Sequence, residues 1–220
     1  RVPIPLHRFT VRVRVTLRRV GNVIESQSEI KSHLPALLRE LRSAKGVLIG
    51  THLHPDGDAI GAALAMSLIL DQFEIEHEIL CHDMPPYYLK FLAGASRIRQ
   101  SPTQDGRSLA LVLDLEAMSR LGSVRQFLDA CNRTVVIDHH IPHEAPGDLR
   151  IVCPSAPATC SILLDLFMDS EVNVTPEIAD CLLAGILTDT GNFRYPNTDA
   201  RCLHSAAFLL EKGADLSRIT

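Results

Sequence analysis

Short apolar runs alternate with segments of helical periodicity along most of the chain. Compact runs of valine, leucine and isoleucine predict buried strands: GVLIGT at 46–51, LALVL at 109–113 and TVVI at 134–137, with an alternating segment at 75–81. Apolar positions at helical spacing, or on all sides, predict helices over 29–44, 58–73, 85–92, 119–130, 159–168, 176–188 and 200–212. Strands that alternate with helices predict an α/β fold with a doubly wound, mostly parallel sheet and helices on both faces.

The first 24 residues differ from the rest. They contain six arginines, and no acidic residue occurs before Glu25. Val11, Val13 and Val15 alternate with polar residues over 10–16, which is the period of a strand. A basic arm on nucleic acid and a targeting segment are two interpretations, but a targeting helix would repeat every 3.6 residues or so. We therefore favour an extended arm or edge strand over 1–24, or sequence foreign to the natural protein, followed by one domain over 25–220.

The composition, net charge and cysteine content indicate which classes of protein this chain can belong to. The chain has 220 residues, 46% of them hydrophobic, and a net charge of −4, as in ordinary globular proteins. A protein that binds long nucleic acid through its phosphates is more often basic. The chain contains six cysteines but no CxxC pair, which favours buried free thiols in the cytoplasm. We expect no membrane association, since no apolar run nears about 18 residues and no signal peptide is visible.

Acidic residues and histidines follow three of the predicted strands directly. They are His52, Asp56 and Asp58 after the first strand, Asp114 after the strand at 109–113, and Asp138, His139 and His140 after the strand at 134–137. A further aspartate, Asp189, follows the helix over 176–188. In doubly wound sheets, ligands bind outside the carboxyl ends of the strands. The pattern therefore predicts that these side chains meet in one crevice.

Clustered carboxylates repel one another unless cations neutralise them. A set rich in oxygen donors with some imidazole suits Mn²⁺ or Mg²⁺, and also Zn²⁺. Two such ions, about 3.5–4 Å apart, can activate a water and stabilise an in-line phosphoryl displacement. Taken singly, Asp-Gly-Asp is ordinary turn sequence, and a strand-end Asp-His-His or a helix-end aspartate can be structural. Their joint placement favours a metal site.

Four separated strings resemble the motifs of the DHH phosphoesterases, in the same order. They are THLHPDGDAIG, the aspartate of LVLDLE, VIDHHIPHE and GILTDTGNFRY. The resemblance covers about residues 45–219 and is greatest to the nano-RNase and pAp-phosphatase branch. It implies a hydrolase whose catalytic domain is 25–220. Members of the family normally carry a second, C-terminal domain that closes over the cleft, and we expect that domain to be missing from this chain, which ends at Thr220.

The resemblance also implies roles for the metal-binding residues. His52 and Asp56 would bind a first divalent ion, and Asp58, His139 and Asp189 a second. Asp114 would bridge the two ions, which are expected to be Mn²⁺, with Mg²⁺ or another divalent ion as the alternative.

Three further residues receive roles outside the metal shell. His140 would face the scissile phosphate as an electrostatic stabiliser or proton donor, so that His140 and Asp114 are the expected catalytic residues. Asp138 would orient a histidine of its motif. Arg194 would contact a substrate phosphate, although an ordinary surface arginine is an equally good interpretation.

The function implied is hydrolysis of 3′-phosphoadenosine 5′-phosphate (pAp), of very short oligoribonucleotides, or of both, by attack of a metal-activated water on phosphorus. One alternative is another DHH reaction, on pyrophosphate or a cyclic dinucleotide. The other is a non-catalytic module that binds metal or nucleotide. The expected partner is therefore a small nucleotide or a short oligoribonucleotide as substrate, and formation of a homodimer is left open.

Overall fold

A computed structural model describes residues 24, 26–142 and 144–220. The arm and the strand expected within 1–24 therefore lie almost wholly outside the described residues. Six strands form one sheet in the order β3-β2-β1-β4-β5-β6, and all neighbours are parallel. The strands are β1 (Val47–Gly50), β2 (His77–Leu80), β3 (Ile98–Arg99), β4 (Leu109–Leu113), β5 (Arg133–Asp138) and β6 (Leu149–Val152). The predicted doubly wound parallel sheet is confirmed.

Eight α-helices and three 3-10 segments occur in the described residues. The helices are α1 (Gln27–Ser32), α2 (Leu34–Ser43), α3 (Gly57–Gln72), α4 (Arg125–Asp129), α5 (Thr159–Phe167), α6 (Pro176–Asp189), α7 (Ala200–Glu211) and α8 (Leu216–Ile219). The 3-10 segments are Tyr87–Leu89, Ala95–Arg97 and Met118–Val124. Among these helices, none combines the length and apolarity needed to cross a bilayer.

The pleat of the sheet divides its side chains between two apolar layers. Val47 and Ile49 belong to the larger core, with α1, α2, α3, α5 and α6, whereas Leu48 faces the smaller one under the segment 118–129. Because successive residues of a strand point to opposite faces, both faces of the central strands β1, β4 and β5 must be apolar. This explains why these three strands contain continuous apolar runs. The six cysteines lie in described residues as free thiols, and all but Cys131 are buried.

Helices α3 and α6 pack unusually close together, and glycines permit it. A Cβ added at Gly61 would lie 2.3 Å from the backbone oxygen of Cys181, and one at Gly57 would lie 1.9 Å from Thr188 Oγ1. Both glycines are on α3 and both contacts are on α6. The close approach places the start of α3, which carries Asp58, beside the last turns of α6, which carry Asp189.

Two predicted helices are broken in the structure. The helix expected over 29–44 is divided at His33, since Pro35 has no N–H to continue the helical bonding. The helix expected over 119–130 is a 3-10 segment followed by α4, and Gly122 interrupts the 3-10 segment with φ 60° and ψ −138°. A side chain at Gly122 would also strike Leu53 and His82. The segment 85–92 contains only the 3-10 turn named above, and β3, β6 and α8 were not predicted.

Candidate metal centre

The first group of donors comes from the connection between β1 and α3. Asp56 caps α3, its Oδ1 accepting from the amides of Asp58 and Ala59 at 2.9 and 3.1 Å. The His52 ring is buried, and its Nδ1 lies 2.7 Å from the carbonyl oxygen of Leu53. A proton on Nδ1 satisfies that contact and leaves the lone pair of Nε2 free. Nε2 is 4.0 Å from Asp56 Oδ1 and 3.3 Å from Asp114 Oδ2.

Asp114 lies between two groups of donors. It follows β4 directly and adopts φ 55°, a left-handed conformation that aspartate tolerates better than most residues. Its Oδ2 faces His52, while its Oδ1 lies 3.6 Å from His139 Nε2 and 3.6 Å from His140 Nδ1. Asp114 is 2% exposed, so its carboxylate is buried rather than at the surface.

The second group joins three separate elements. Asp58 stands in the first turn of α3, His139 follows β5, and Asp189 ends α6. His139 Nε2 is 3.0 Å from Asp189 Oδ2 and 4.0 Å from Asp58 Oδ2. The Asp58 carboxylate is fully buried and accepts backbone hydrogen bonds from Thr159 at 2.6 Å and Cys160 at 2.9 Å.

His140 is oriented by Asp138, the last residue of β5. Asp138 Oδ1 accepts from the backbone amide of His140 at 3.1 Å and lies 2.8 Å from its Nδ1. The His140 side chain is half-buried, with 35% of its area exposed. Since Nδ1 is engaged with Asp138, the ring nitrogen Nε2 is the one left for other partners.

The two arginines near this edge differ in their surroundings. Arg194 is exposed, and its Nε donates to the carbonyl of Gly191, in the turn after α6, at 2.8 Å. Arg120, which the sequence did not single out, brings Nη2 within 3.4 Å of His52 Nδ1. The buried Thr159, also missed, donates from Oγ1 to Asp114 at 3.0 Å. Neither residue follows a strand or repeats a spacing that would mark it.

Burial and mutual repulsion set the ionisation of the metal-free cluster. Burial, with the charges of Asp114 and Asp189, raises the pKa of Asp58 well above its usual range. Burial also raises the pKa of Asp189. Burial alone would raise the pKa of Asp114, but His52 and the other two histidines hold it below the usual range. These buried carboxylates are stable only if cations or protons accompany them.

The histidines carry the compensating positive charge when no metal is present. Burial would lower the pKa of His139, but the carboxylate of Asp189 against the ring, with the charges of Asp58 and Asp114, raises it to about 10. The pKa of His52 is raised by Asp114 against the effect of burial. The hydrogen bond to Asp138 raises the pKa of His140.

The donor atoms fit divalent cations. Two groups, His52–Asp56–Asp114 and Asp58–His139–Asp189, each bring three donor atoms within 4.8 Å of one another, and Asp114 forms a third with His139 and His140. His139 Nε2 is buried among carboxylates at ion-pair distance, yet no described residue completes a well-aligned hydrogen bond to it. Such a nitrogen needs either a proton or a metal ion. Oxygen donors with a minority of imidazole could hold Mn²⁺, Mg²⁺ or Zn²⁺.

The chain is similar to proteins of known family. It is 36% identical over 202 residues to the bifunctional oligoribonuclease and PAP phosphatase NrnA of Thermus thermophilus, covering 91% of this chain and 60% of that protein. It is 29% identical over 179 residues to the protein of the same name from Bacillus subtilis, covering 80% and 56%. The chain thus spans about 60% of the length of these curated relatives.

Similarity in structure agrees with similarity in sequence. An exopolyphosphatase-related protein from Bacteroides fragilis superposes with a TM-score of 0.79 at 25% identity, over 86% of this chain and 58% of that one. The sequence model of the DHH family, N-terminal domain, matches residues 46–186. That range includes every candidate ligand except Asp189, which lies three residues beyond it. The chain belongs to the DHH family.

Proposed function

We propose that this chain is the metal-binding domain of a phosphoesterase that uses two divalent ions. The observation that carries the proposal is the position of Asp114. Its Oδ2 faces His52 in one donor group, and its Oδ1 faces His139 in the other. A buried carboxylate that presents one oxygen to each of two groups suits a bridge between two ions.

Under this proposal, the ligands divide as the sequence motifs imply. His52 and Asp56 hold one ion, Asp58, His139 and Asp189 hold the other, and Asp114 touches both. When bound, the ions supply Lewis acidity toward a phosphate oxygen and lower the pKa of a coordinated water. The prevalence of carboxylate oxygen favours Mn²⁺ over Zn²⁺.

The remaining side chains act on the substrate. Asp138 holds His140 through Nδ1, so that His140 Nε2 is available to donate a proton or hydrogen bond to a phosphate oxygen. The raised pKa of His140 favours its protonated form, which stabilises negative charge. Arg120 beside His52 and Arg194 after α6 are the candidate guanidinium contacts for further phosphate oxygens.

The substrates proposed are pAp and very short oligoribonucleotides. The support is the relatives' names, together with the net charge of −4, which does not favour long nucleic acid. We further propose that 25–220 act as the catalytic domain of a cytoplasmic enzyme. Since the chain covers about 60% of its relatives, the full activity is proposed for the protein as a whole.

The decisive experiment offers three substrates side by side with Mn²⁺. They are pAp, a 5′-phosphorylated diribonucleotide and inorganic pyrophosphate, with release of phosphate or mononucleotide as the readout. Turnover of pAp or the dinucleotide by the wild-type chain, even if weak, and its loss in Asp114→Asn would support the proposed substrates and catalysis by this chain alone. The matched control is Asp148→Asn, because Asp148 binds Thr134 and Arg133 at the opposite, amino-terminal edge of the sheet.

Each result has a distinct meaning. Preference for pyrophosphate would retain the two-metal site and reject the proposed substrates. Calorimetric titration with Mn²⁺, performed on the same samples, tests the site without turnover. If the chain binds no Mn²⁺, the metal centre itself is rejected. Binding without turnover would reject catalysis by this chain alone and favour a metal-binding module.

A further inference from the structure

The amino terminus of α5 contacts the carboxylates of both donor groups. Two consecutive residues of this helix, Thr159 and Cys160, donate their backbone amides to the two oxygens of Asp58, at 2.6 and 2.9 Å. The side chain of Thr159 donates from Oγ1 to Asp114 Oδ1 at 3.0 Å. Thr159 itself is fully buried. One residue therefore bonds to a proposed ligand of the second ion and to the proposed bridge.

The cap of α5 comes from a distant part of the chain. Its N-cap residue is Ala158, which has no side-chain oxygen and makes no capping bond. The first amides of a helix need acceptors, and the helix terminus carries partial positive charge. Asp58 supplies the acceptors from α3, some 100 residues earlier, so α5 and the carboxylate stabilise each other.

The hydroxyl of Thr159 acts on the orientation of Asp114. A carboxylate on a short side chain can rotate about its last bond, and that rotation would exchange the oxygens between the two groups. The bond from Thr159 engages Oδ1 on the side of His139 and leaves Oδ2 directed toward His52. A hydrogen bond to a charged acceptor is among the stronger ones in proteins.

We infer that Thr159 is a positioning residue of the metal centre, whose hydroxyl fixes the Asp114 carboxylate in the orientation that bridges two divalent ions. The inference rests on the proposed function and deepens it. Residues that orient metal ligands change metal affinity or activity by about 10–100-fold when replaced. The same range is expected here, because both ions depend on the orientation of one carboxylate.

The test compares two substitutions at Thr159 by calorimetric titration with Mn²⁺. Thr159→Val keeps the shape and removes the hydroxyl, and we expect its Mn²⁺ affinity to fall about 10–100-fold. Thr159→Ser keeps the hydroxyl, and its Mn²⁺ affinity should stay close to that of the wild type. Thermal unfolding without metal, recorded for both variants, measures any loss of stability that does not involve Mn²⁺.

A matched control exists at the end of β1. Thr51 is fully buried, and its hydroxyl has no hydrogen-bond partner among the described residues. Thr51→Val removes the same group from another buried position, where it makes no hydrogen bond to Asp114, and should leave Mn²⁺ affinity unchanged. If Thr159→Val disturbs folding, Thr159→Ala removes the hydroxyl by truncation and is titrated instead.

The outcomes separate this inference from the proposed function. Weak binding in Thr159→Val, together with normal binding in Thr159→Ser and in Thr51→Val, supports the positioning role. Wild-type affinity in Thr159→Val overturns it and leaves the metal centre intact. Equal losses of metal-free stability and affinity, without rescue by serine, reduce Thr159 to a structural residue. A wild-type chain that binds no Mn²⁺ overturns both ideas together.

Discussion

Protons and metal ions should compete for the buried donors of this site, and the competition should extend well above neutral pH. His139 can bind a metal only as the neutral imidazole. In the metal-free protein the surrounding carboxylates raise its pKa from 6.5 to about 10. An unperturbed histidine would cease to compete above about pH 7.5. His139 must instead release a proton on metal binding throughout the neutral and mildly alkaline range.

The magnitude follows from the displaced proton. Below the pKa of the ligand, each pH unit lowers the apparent metal affinity about tenfold for each proton released. We therefore expect the affinity for Mn²⁺ to be about 100-fold lower at pH 6.5 than at pH 8.5 from the proton on His139 alone. The raised pKa of Asp58 acts in the same direction, because a protonated carboxyl must also release its proton.

The stability of the metal-free protein should change with pH in the opposite sense. The folded pKa of His139 exceeds the unfolded value, so the stabilisation from its charge is complete below pH 6.5 and is lost as pH rises toward about 10. Over this range the metal-free melting temperature should fall, while the increment produced by Mn²⁺ should grow.

Isothermal titration calorimetry measures the competition directly. Titrations at pH 6.5, 7.5 and 8.5, each in two buffers of different ionisation enthalpy, give both the affinity and the number of protons released. We expect the wild-type chain to release at least one proton per molecule when Mn²⁺ binds at pH 8.5. His139→Asn should release one proton fewer. Equal affinities at all three pH values, with no proton release, would refute the assignment of His139 as a ligand.

Two further substitutions test the site and its support. Asp114→Asn should reduce metal occupancy and turnover more than Asp56→Asn, because Asp114 faces both donor groups and Asp56 only one. Equal losses of Mn²⁺ affinity and of turnover rate in the two variants would contradict the bridging role of Asp114. Gly61→Ala should lower the free energy of unfolding by about 1–2 kcal/mol, since overpacking costs about 1–3 kcal/mol and alanine regains up to about 1 kcal/mol in helix propensity. Its new methyl would lie 2.3 Å from the Cys181 carbonyl, and denaturant unfolding that shows a stabilised variant would contradict the close packing of α3 on α6.

The central part of the fold was predictable from the sequence because it is buried on all sides. Strands β1, β4 and β5 lie between two apolar layers, so their sequences are continuous apolar runs. The edge of the sheet was not predictable in this way. In β6, Arg150 interrupts the apolar run, and β3 has only two residues. Such segments become strands only because a neighbouring strand offers hydrogen bonds, and that is a tertiary effect.

Proline and glycine explain the errors within helices. The apolar spacing over 29–44 is helical throughout, and Pro35 divides it without altering that spacing. Gly122 similarly divides 118–129, where the chain turns through a left-handed conformation against Leu53 and His82. Periodicity describes which side of a segment is buried, whereas the continuity of its backbone bonds depends on single residues.

The candidate ligands could be found from the sequence because all but Asp189 lie within eight residues after the carboxyl end of a strand. In a parallel sheet the carboxyl ends of β1, β4 and β5 meet at one edge, so proximity follows from topology alone. Asp189 is the exception, since it ends a helix. Its position depends on the glycines that bring α6 against α3, and only the resemblance to a family indicated its role.

The role of Thr159 could not be predicted from the pattern of polar residues that follow strands. The sequence places it at the start of a helix, where a threonine would ordinarily cap that helix with its own side chain. In the structure the cap is Asp58, and the freed hydroxyl turns to Asp114. The exchange has a physical cause, because the buried carboxylates of the proposed metal site need hydrogen-bond donors even without an ion. A helix terminus provides such donors at fixed positions. Burial raises the pKa of Asp58, and the buried carboxylates in turn raise the pKa of His139. The amides and hydroxyl of α5 thus belong to the same charge balance, which under the proposed function a metal ion completes.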